Sequence, residues 1–451
     1  METKRHLLKT SLGELAGLES EDCYEYLGVP FAQAGRFSYA EPVDSWKGEL
    51  DATEFGPACP QYRQYYPQLD NPERLFYHRE FREGMTFLYD EDCLNLNIYV
   101  PKEAVNCPVI LYFYGGGFNS GCNKEQPFRG YAFAKCGIIT VFANYRVGIF
   151  GYFTHEDIKK AYGREGNFGL DDQLTAVRWV KKHIADFCGD PENITLMGQS
   201  AGAISIQYLC LNHENEGLFQ RAIMMSGGGM FPKFALPRRA EQTREYWLQL
   251  MQVAECENIS QLWMTDASLV LKAAQELKSL RKDTTYNTMP VVDGALLPAP
   301  VDELIKNPLK IDYMIGFTNN DMYAPIMAYI GTKFGKANDA YLYYFDLDAP
   351  GDGNAAFHSA DLRYMFGRLA ESWRPYGLRD YEVSDQMIDY VANFARSGDP
   401  NGDELPVWKH ADQMHGSALC FRKEKTKMGH PSYLKMTWNM LTKGNPKAGR
   451  K

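Results

Sequence analysis

One short stretch constrains this chain more than any other: Gly198-Gln199-Ser200-Ala201-Gly202, set within ITLMGQSAGAISIQYL. Ile194 to Met197 is an apolar run of the kind that forms a buried parallel strand, and Ala203 to Leu209 resumes at helical spacing. The G-x-S-x-G between them predicts a strand-to-helix turn so tight that the residues beside the serine must be small. Such a turn lifts the serine hydroxyl clear of the sheet. It also aims the first free amides of the helix, beginning with Ala201 N–H, at whatever the serine attacks. Five residues of this pattern also arise by chance, so the rest of the chain has to supply an oxyanion hole, an acid and a histidine.

Composition narrows the partners. The chain has 451 residues, 45% hydrophobic and 23% charged, with a net charge of −9. That is ordinary globular composition, and its acidity argues against nucleic acid or an anionic membrane as partner. The longest apolar candidate, Cys136 to Phe153, is interrupted by Asn144 and Arg146, too soon for a membrane span. The opening METKRHLLKTSLGELAGLES has no apolar core of the secretory type, which predicts a cytoplasmic protein whose ten cysteines are mostly reduced. There is no C-x-x-C pair and no H-E-x-x-H, so no zinc site is expected, and acyl transfer by a serine, a histidine and an acid needs no metal and no cofactor. Lysines 423–427 and the basic tail 443–451 read as solvated surface.

Along the chain, residues 1–60 alternate and turn in the manner of antiparallel hairpins. The polar and aromatic stretch from Phe55 towards Cys93 has no clear period and reads as a long loop, ending in an alternating strand over 94–100. Val109 to Phe113 is a buried strand running into Gly115-Gly116-Gly117-Phe118, where the backbone must approach something closely or take positive φ. An oxyanion-binding loop fits; a phosphate loop would need G-x-x-x-x-G-K-[ST], which is absent. Strands follow at 138–144 and 194–197, within RAIMMSGGG (221–229), and at 314–317 and 341–347. Helical patterns lie at 170–187, with Leu174, Val177, Val180, Ile184 and Phe187 on one face, and across 239–280. This alternation predicts an α/β architecture with a mostly parallel central sheet, helices on its faces and N-terminal hairpins, as one domain over 1–451.

Of the acids after Ser200, Asp321 sits just past a strand end, after YMIGFTNN, and its rival is Asp293 in the turn-like PVVDG. Of the later histidines, His358 follows a strand and a glycine-rich loop, and His430 also follows an apolar run, 418–421. His410 and His415 read as surface residues.

The chain resembles the type-B carboxylesterases, the family that includes cholinesterases and para-nitrobenzyl esterases. The matching stretches run in order: GVPFA, FGPACPQ, EDCLNLNIYVP, YGGGFNSG, NYRVG, GNFGLDDQLTAVRWV, FCGDPENITLMGQSAGA, PVVDG, IGFTNNDMY and AFHSADLRYMFG, with FARSGDPNG and LPVW beyond. The resemblance implies an α/β-hydrolase fold. It makes Ser200 the nucleophile, Asp321 the acid and His358 the base, with the amides of Gly116, Gly117 and Ala201 as oxyanion donors. It implies hydrolysis of a small-molecule carboxylic ester through an acyl-enzyme. Thioesters, lactones or amides remain open at the same triad, and a non-catalytic esterase-like binding module is the rival of another class. Phe118, Tyr323 and Phe357 adjoin the catalytic positions and are candidates to line the substrate pocket. Oligomeric state is not legible.

Three departures from the family pattern stand out. The acid is Asp where Glu is commoner, and Tyr114 precedes the glycines where many members have His. Only 36 residues separate Asp321 from His358, where members carry a long helical segment. The shortened 322–340 stretch predicts a shallower, more open site. The resemblance also implies that Arg36–Glu91 and Arg146–Asp172 are structural ion pairs, and that Cys59 and Cys93 match the family's disulfide, reduced here in a cytosolic protein.

Overall fold

Apolar strands without a polar face are buried only when helices cover both sides of the sheet they form. The computed structural model describes residues 4–65, 69–228, 236–281, 287–321, 324–411 and 417–448. Among them, thirteen strands share one sheet. Its front is antiparallel: Lys4–Thr10, Gly13–Glu19 and Cys23–Pro30 fold back on one another, and Cys23–Pro30 pairs with Asn95–Pro101. Then come Ile139–Ala143, Cys107–Phe113, Gly189–Gln199, Arg221–Met225, Asp312–Thr318, Tyr341–Asp346 and Ala418–Arg422, side by side and parallel. Parallel strands end on one edge, so the loops after Phe113, Gln199, Thr318 and Asp346 emerge together, at the place where open α/β sheets bind ligands.

The helix expected at 170–187 is Phe168–His183 followed by a 3-10 turn, and all five residues of its predicted face are buried. The 239–280 region is helical as expected, in Arg244–Val253, Ile259–Met264 and Ala267–Leu280. Among the described residues no helix is long and apolar enough to cross a membrane.

One local reading needs correction. The stretch read as a loop contains the helix Pro72–Phe81. Its sequence lacks a strong apolar stripe, so periodicity misses it, but its start is built from local chemistry. Asn71 Oδ1 accepts from Glu73 N at 2.9 Å and Arg74 N at 3.2 Å, and Pro72 fills the first position, where no donor is needed. The strand expected over 94–100 is Asn95–Pro101, and it is buried throughout. Its polar residues point inward because they tie down loops: Asn97 Oδ1 accepts from Gly28 N at 3.0 Å, and Asn95 Nδ2 donates to Pro57 O at 2.9 Å. The twenty-residue helix Leu378–Ser397, which buries Val383, Met387, Val391 and Phe394, is an element the sequence reading leaves out.

Two ion pairs bolt the loops under the sheet's active edge. Arg146, 3% exposed, meets the fully buried Asp172 in a two-pronged contact of 2.7 and 2.8 Å. Its remaining nitrogen donates to Ser38 O at 2.8 Å. Arg36 grips Glu91 the same way and donates to Leu262 O at 2.7 Å. Cys59 and Cys93 are free, buried thiols, and a hydrogen bond from one to the other together with burial pushes the Cys93 thiol well up. Removing one partner of a buried pair strands the other charge. Asp172→Ala is therefore expected to cost about 3–5 kcal/mol in urea unfolding, whereas substitution of the exposed Glu49, paired with Arg5 at the surface, should cost at most about 1 kcal/mol.

Candidate active site

The site grows from a backbone conformation. Gly189–Gln199 ends, Ser200 takes φ 55° and ψ −123°, and Ala201–Cys210 begins at once as a helix. A serine in this region stores roughly 1–3 kcal/mol of strain, so its surroundings must hold it. Ser200 N donates to Met225 O at 2.8 Å. The neighbours leave no room for side chains: a Cβ on Gly202 would stand 2.1 Å from Phe113 O, and one on Gly227 2.2 Å from Ser200 O. Ser200 itself is only half-buried.

Asp321 and His358 come together from adjacent parallel strands. Asp321 follows Asp312–Thr318, and its side chain is fully buried. His358 ends the long loop after Tyr341–Asp346, and its Nδ1 contacts Asp321 Oδ1 directly. The two loops are stitched to each other: Asn320 N donates to Ala356 O at 2.9 Å, and Ala356 N to Asn319 Oδ1 at 3.1 Å. The His358 side chain stays 15% exposed. Burial pulls its imidazole down, but the Asp321 carboxylate outweighs that and leaves it above the usual 6.5. Among the described residues Ser200 Oγ makes no hydrogen bond to His358; the ring's Nε2 lies 3.2 Å from Gln199 Nε2.

The glycine loop after Cys107–Phe113 lies against the elbow. Gly116 and Gly117 take φ of 123° and 62°, and Phe118 follows at 61°. Among the described residues the amides of Gly116, Gly117 and Ala201 donate to no protein acceptor, and that of Ala201 opens a helix, where free donors and the helix dipole favour an anion. Tyr114 turns away, stacked on Tyr145 at 4.4 Å with its hydroxyl on Tyr145 O.

Other candidates fall elsewhere. Asp293 closes a turn, accepting from Ala295 N at 3.1 Å and Leu297 N at 2.9 Å. His410 packs edge-on against Tyr341, and His430 is exposed. Phe118 and Phe357 are packed into the interior, against Tyr152 and against Phe76. Tyr323 and His415 lie outside the described residues. Between Asp321 and the next strand there is a single helix, Ala324–Ala337.

Sequence reasoning misses three groups that support the site. Asn319, fully buried, donates to Asp346 Oδ1 at 3.0 Å and accepts from Asn439 Nδ2 at 3.1 Å. Arg374 joins Glu80 to Asp352 at 2.9 Å each and so fastens the loop that carries His358. Asp361, three residues beyond His358, accepts from Tyr343 Oη at 2.7 Å, and burial pushes its carboxyl up to about 6. None of these has a spacing signature; only the doubled asparagine after a strand could have drawn notice.

The carboxylesterase family model matches residues 4–336 and 322–437, breaking within the short segment. The chain is 32% identical to the para-nitrobenzyl esterase of Bacillus subtilis (strain 168) over 327 residues, covering 70% of this chain and 63% of that protein. It is 26% identical to carboxylesterase 4A of Bos taurus, covering 90% of each; that alignment, 509 positions long, exceeds this chain's length, so the relative carries residues that this chain lacks. A solved para-nitrobenzyl esterase superposes with a TM-score of 0.81 and 25% identity over 96% of this chain and 99% of its own, which identifies the α/β-hydrolase fold.

The elbow's crowding is testable. Gly202→Ala forces Cβ onto Phe113 O and, at 2.7 Å, Tyr114 O. The expected outcome in thermal and urea unfolding is a loss of about 1–3 kcal/mol, with no comparable loss for alanine at the open position Gly294→Ala beyond the cost of its positive φ.

Proposed function

We propose, for a chain that belongs to the carboxylesterase family and is a carboxylic ester hydrolase, a two-step acyl transfer in which Ser200 is nucleophile, His358 general base and Asp321 the acid that orients it. The observation that carries the reading is the direct Asp321–His358 contact, at the same edge of the sheet as the strained serine. Asp321 holds the proton on Nδ1 and leaves Nε2 to receive one. As Ser200 Oγ attacks the ester carbon, its proton passes to Nε2. The carbonyl oxygen becomes an oxyanion, which the amides of Gly116, Gly117 and Ala201 face. The imidazolium then gives its proton to the leaving alcohol. Water enters, gives a proton to Nε2, attacks the acyl group and releases the acid as Ser200 recovers its hydrogen.

The substrate is a small-molecule ester reached from an open side. One helix of 14 residues stands between acid and base strand, and half-exposed Ser200 is in keeping with a site lacking a roof there.

Hydrolysis of p-nitrophenyl esters from acetate upward tests the reading. Ser200→Ala is expected to lower kcat by about 10⁶; equal rates in both proteins would overturn it. An open site is expected to discriminate acyl lengths weakly, by less than the 10–200-fold per methylene of a closed apolar pocket.

The pH dependence has a definite sign. The working base is neutral, and its pKa is raised, so kcat/KM should fall as pH drops through a value above 6.5. Asp321→Asn removes the charge that raises it. That variant's acid limb should move to lower pH while kcat falls by roughly 10⁴ through loss of the tautomer hold.

A further inference from the structure

The His358 nitrogen that must receive the Ser200 proton already has a partner. Gln199 Nε2 lies 3.2 Å from His358 Nε2. With Nδ1 facing Asp321 and carrying the ring proton, Nε2 is an acceptor and the Gln199 carboxamide donates to it. Gln199 is 4% exposed, and Gly115 makes room for it. A Cβ on Gly115 would stand 2.7 Å from Gln199 Oε1 and 2.7 Å from Ser200 Cβ. The glycine loop therefore admits both the serine and the amide beside it.

We infer that Gln199 is a positioning residue that holds the His358 ring in its base-competent tautomer and yields Nε2 to Ser200 during the reaction. The inference rests on the triad proposed above. A carboxamide N–H at Nε2 stabilises the neutral ring and opposes the imidazolium, which would present N–H to N–H. When Nε2 gains the serine proton, the amide must turn its Oε1 towards it or move aside. A carboxylate in its place would do the reverse, accepting from Nε2–H and holding the base protonated to higher pH.

The charged neighbours of the ring are Asp321 from the acid loop and Asp361 from its own segment. Tyr77, on the helix Pro72–Phe81, interacts with Asp321, and Tyr343, on the neighbouring strand, bonds Asp361. Both acids favour the charged imidazole. Gln199 is the neutral group that counters them.

The test compares wild type, Gln199→Glu and Gln199→Met in p-nitrophenyl acetate hydrolysis across pH, with melting temperatures recorded. Gln199→Glu should move the acid limb up by about one pH unit with KM little changed, and kcat above that limb should stay below wild type, because a carboxylate has no proton to donate to the neutral Nε2. Gln199→Met should lower kcat about tenfold at unchanged KM through loss of orientation. Wild-type kcat and acid limb in Gln199→Glu would overturn the inference, whether or not Gln199→Met folds. The titration of the His358 imidazole followed by NMR in a Ser200→Ala background separates the two proposals. It should shift upward with Gln199→Glu even where turnover is absent, and an unmoved titration overturns the role of Gln199 alone.

Discussion

The close approach of three backbone segments at Ser200 is what the rest of this structure depends on. The serine's φ of 55° is held by the hydrogen bond its amide donates to Met225 O on one side and by the glycine loop on the other. Gly202, Gly227 and Gly115 each sit where a side chain would strike backbone or Ser200 itself. Strain of this kind persists only where the surroundings over-determine it. The parallel strands Cys107–Phe113, Gly189–Gln199 and Arg221–Met225 supply that determination, because hydrogen-bonded register sets where each strand stops.

A second level of support acts on Asp321 and His358. Neither sits on regular structure, so both need their loops made rigid. Asn319 does this from the interior by bonding Asp346, Asp348, Ala356 and Asn439 at once. Buried polar groups are stabilising only when fully partnered, and then they specify one arrangement. The C-terminal segment is drawn into the same network: Gly444 O accepts from Asn320 Nδ2, and Ala448 N donates to Pro72 O. The helix Pro72–Phe81 in turn carries Glu80 to Arg374 and Phe76 to Phe357, next to His358. Chain ends and loops far apart in sequence thus converge beneath one imidazole.

The reading that failed, a loop where Pro72–Phe81 is a helix, has a plain cause. Periodicity reports which face of an element is apolar, and Pro72–Phe81 has no strong apolar face to report. It is held by a cap at one end and by Glu80 and Phe81 in tertiary contact at the other. At 95–101 alternation was present, but it recorded two asparagines bonding loops rather than a wet face. In the long middle region, where helices bury a single apolar stripe, as Phe168–His183 does, pattern and structure agree.

By itself the sequence determined the elbow, the strand–helix alternation and the small residues around the serine, because sterics at a tight turn act between neighbours in the chain. It also narrowed the acid and base to a few residues past strand ends. The residues alone left Asp293 and Asp321 both open, with Asp321 named by the resemblance; only the folded chain shows that one carboxylate accepts from two amides of its own turn while the other contacts His358. The same holds for Gln199, Asn319, Arg374 and Asp361, whose partners are far away in sequence. A hydrogen bond between distant residues leaves no spacing behind, so only the folded sheet, by bringing its strand ends to one edge, makes these contacts visible.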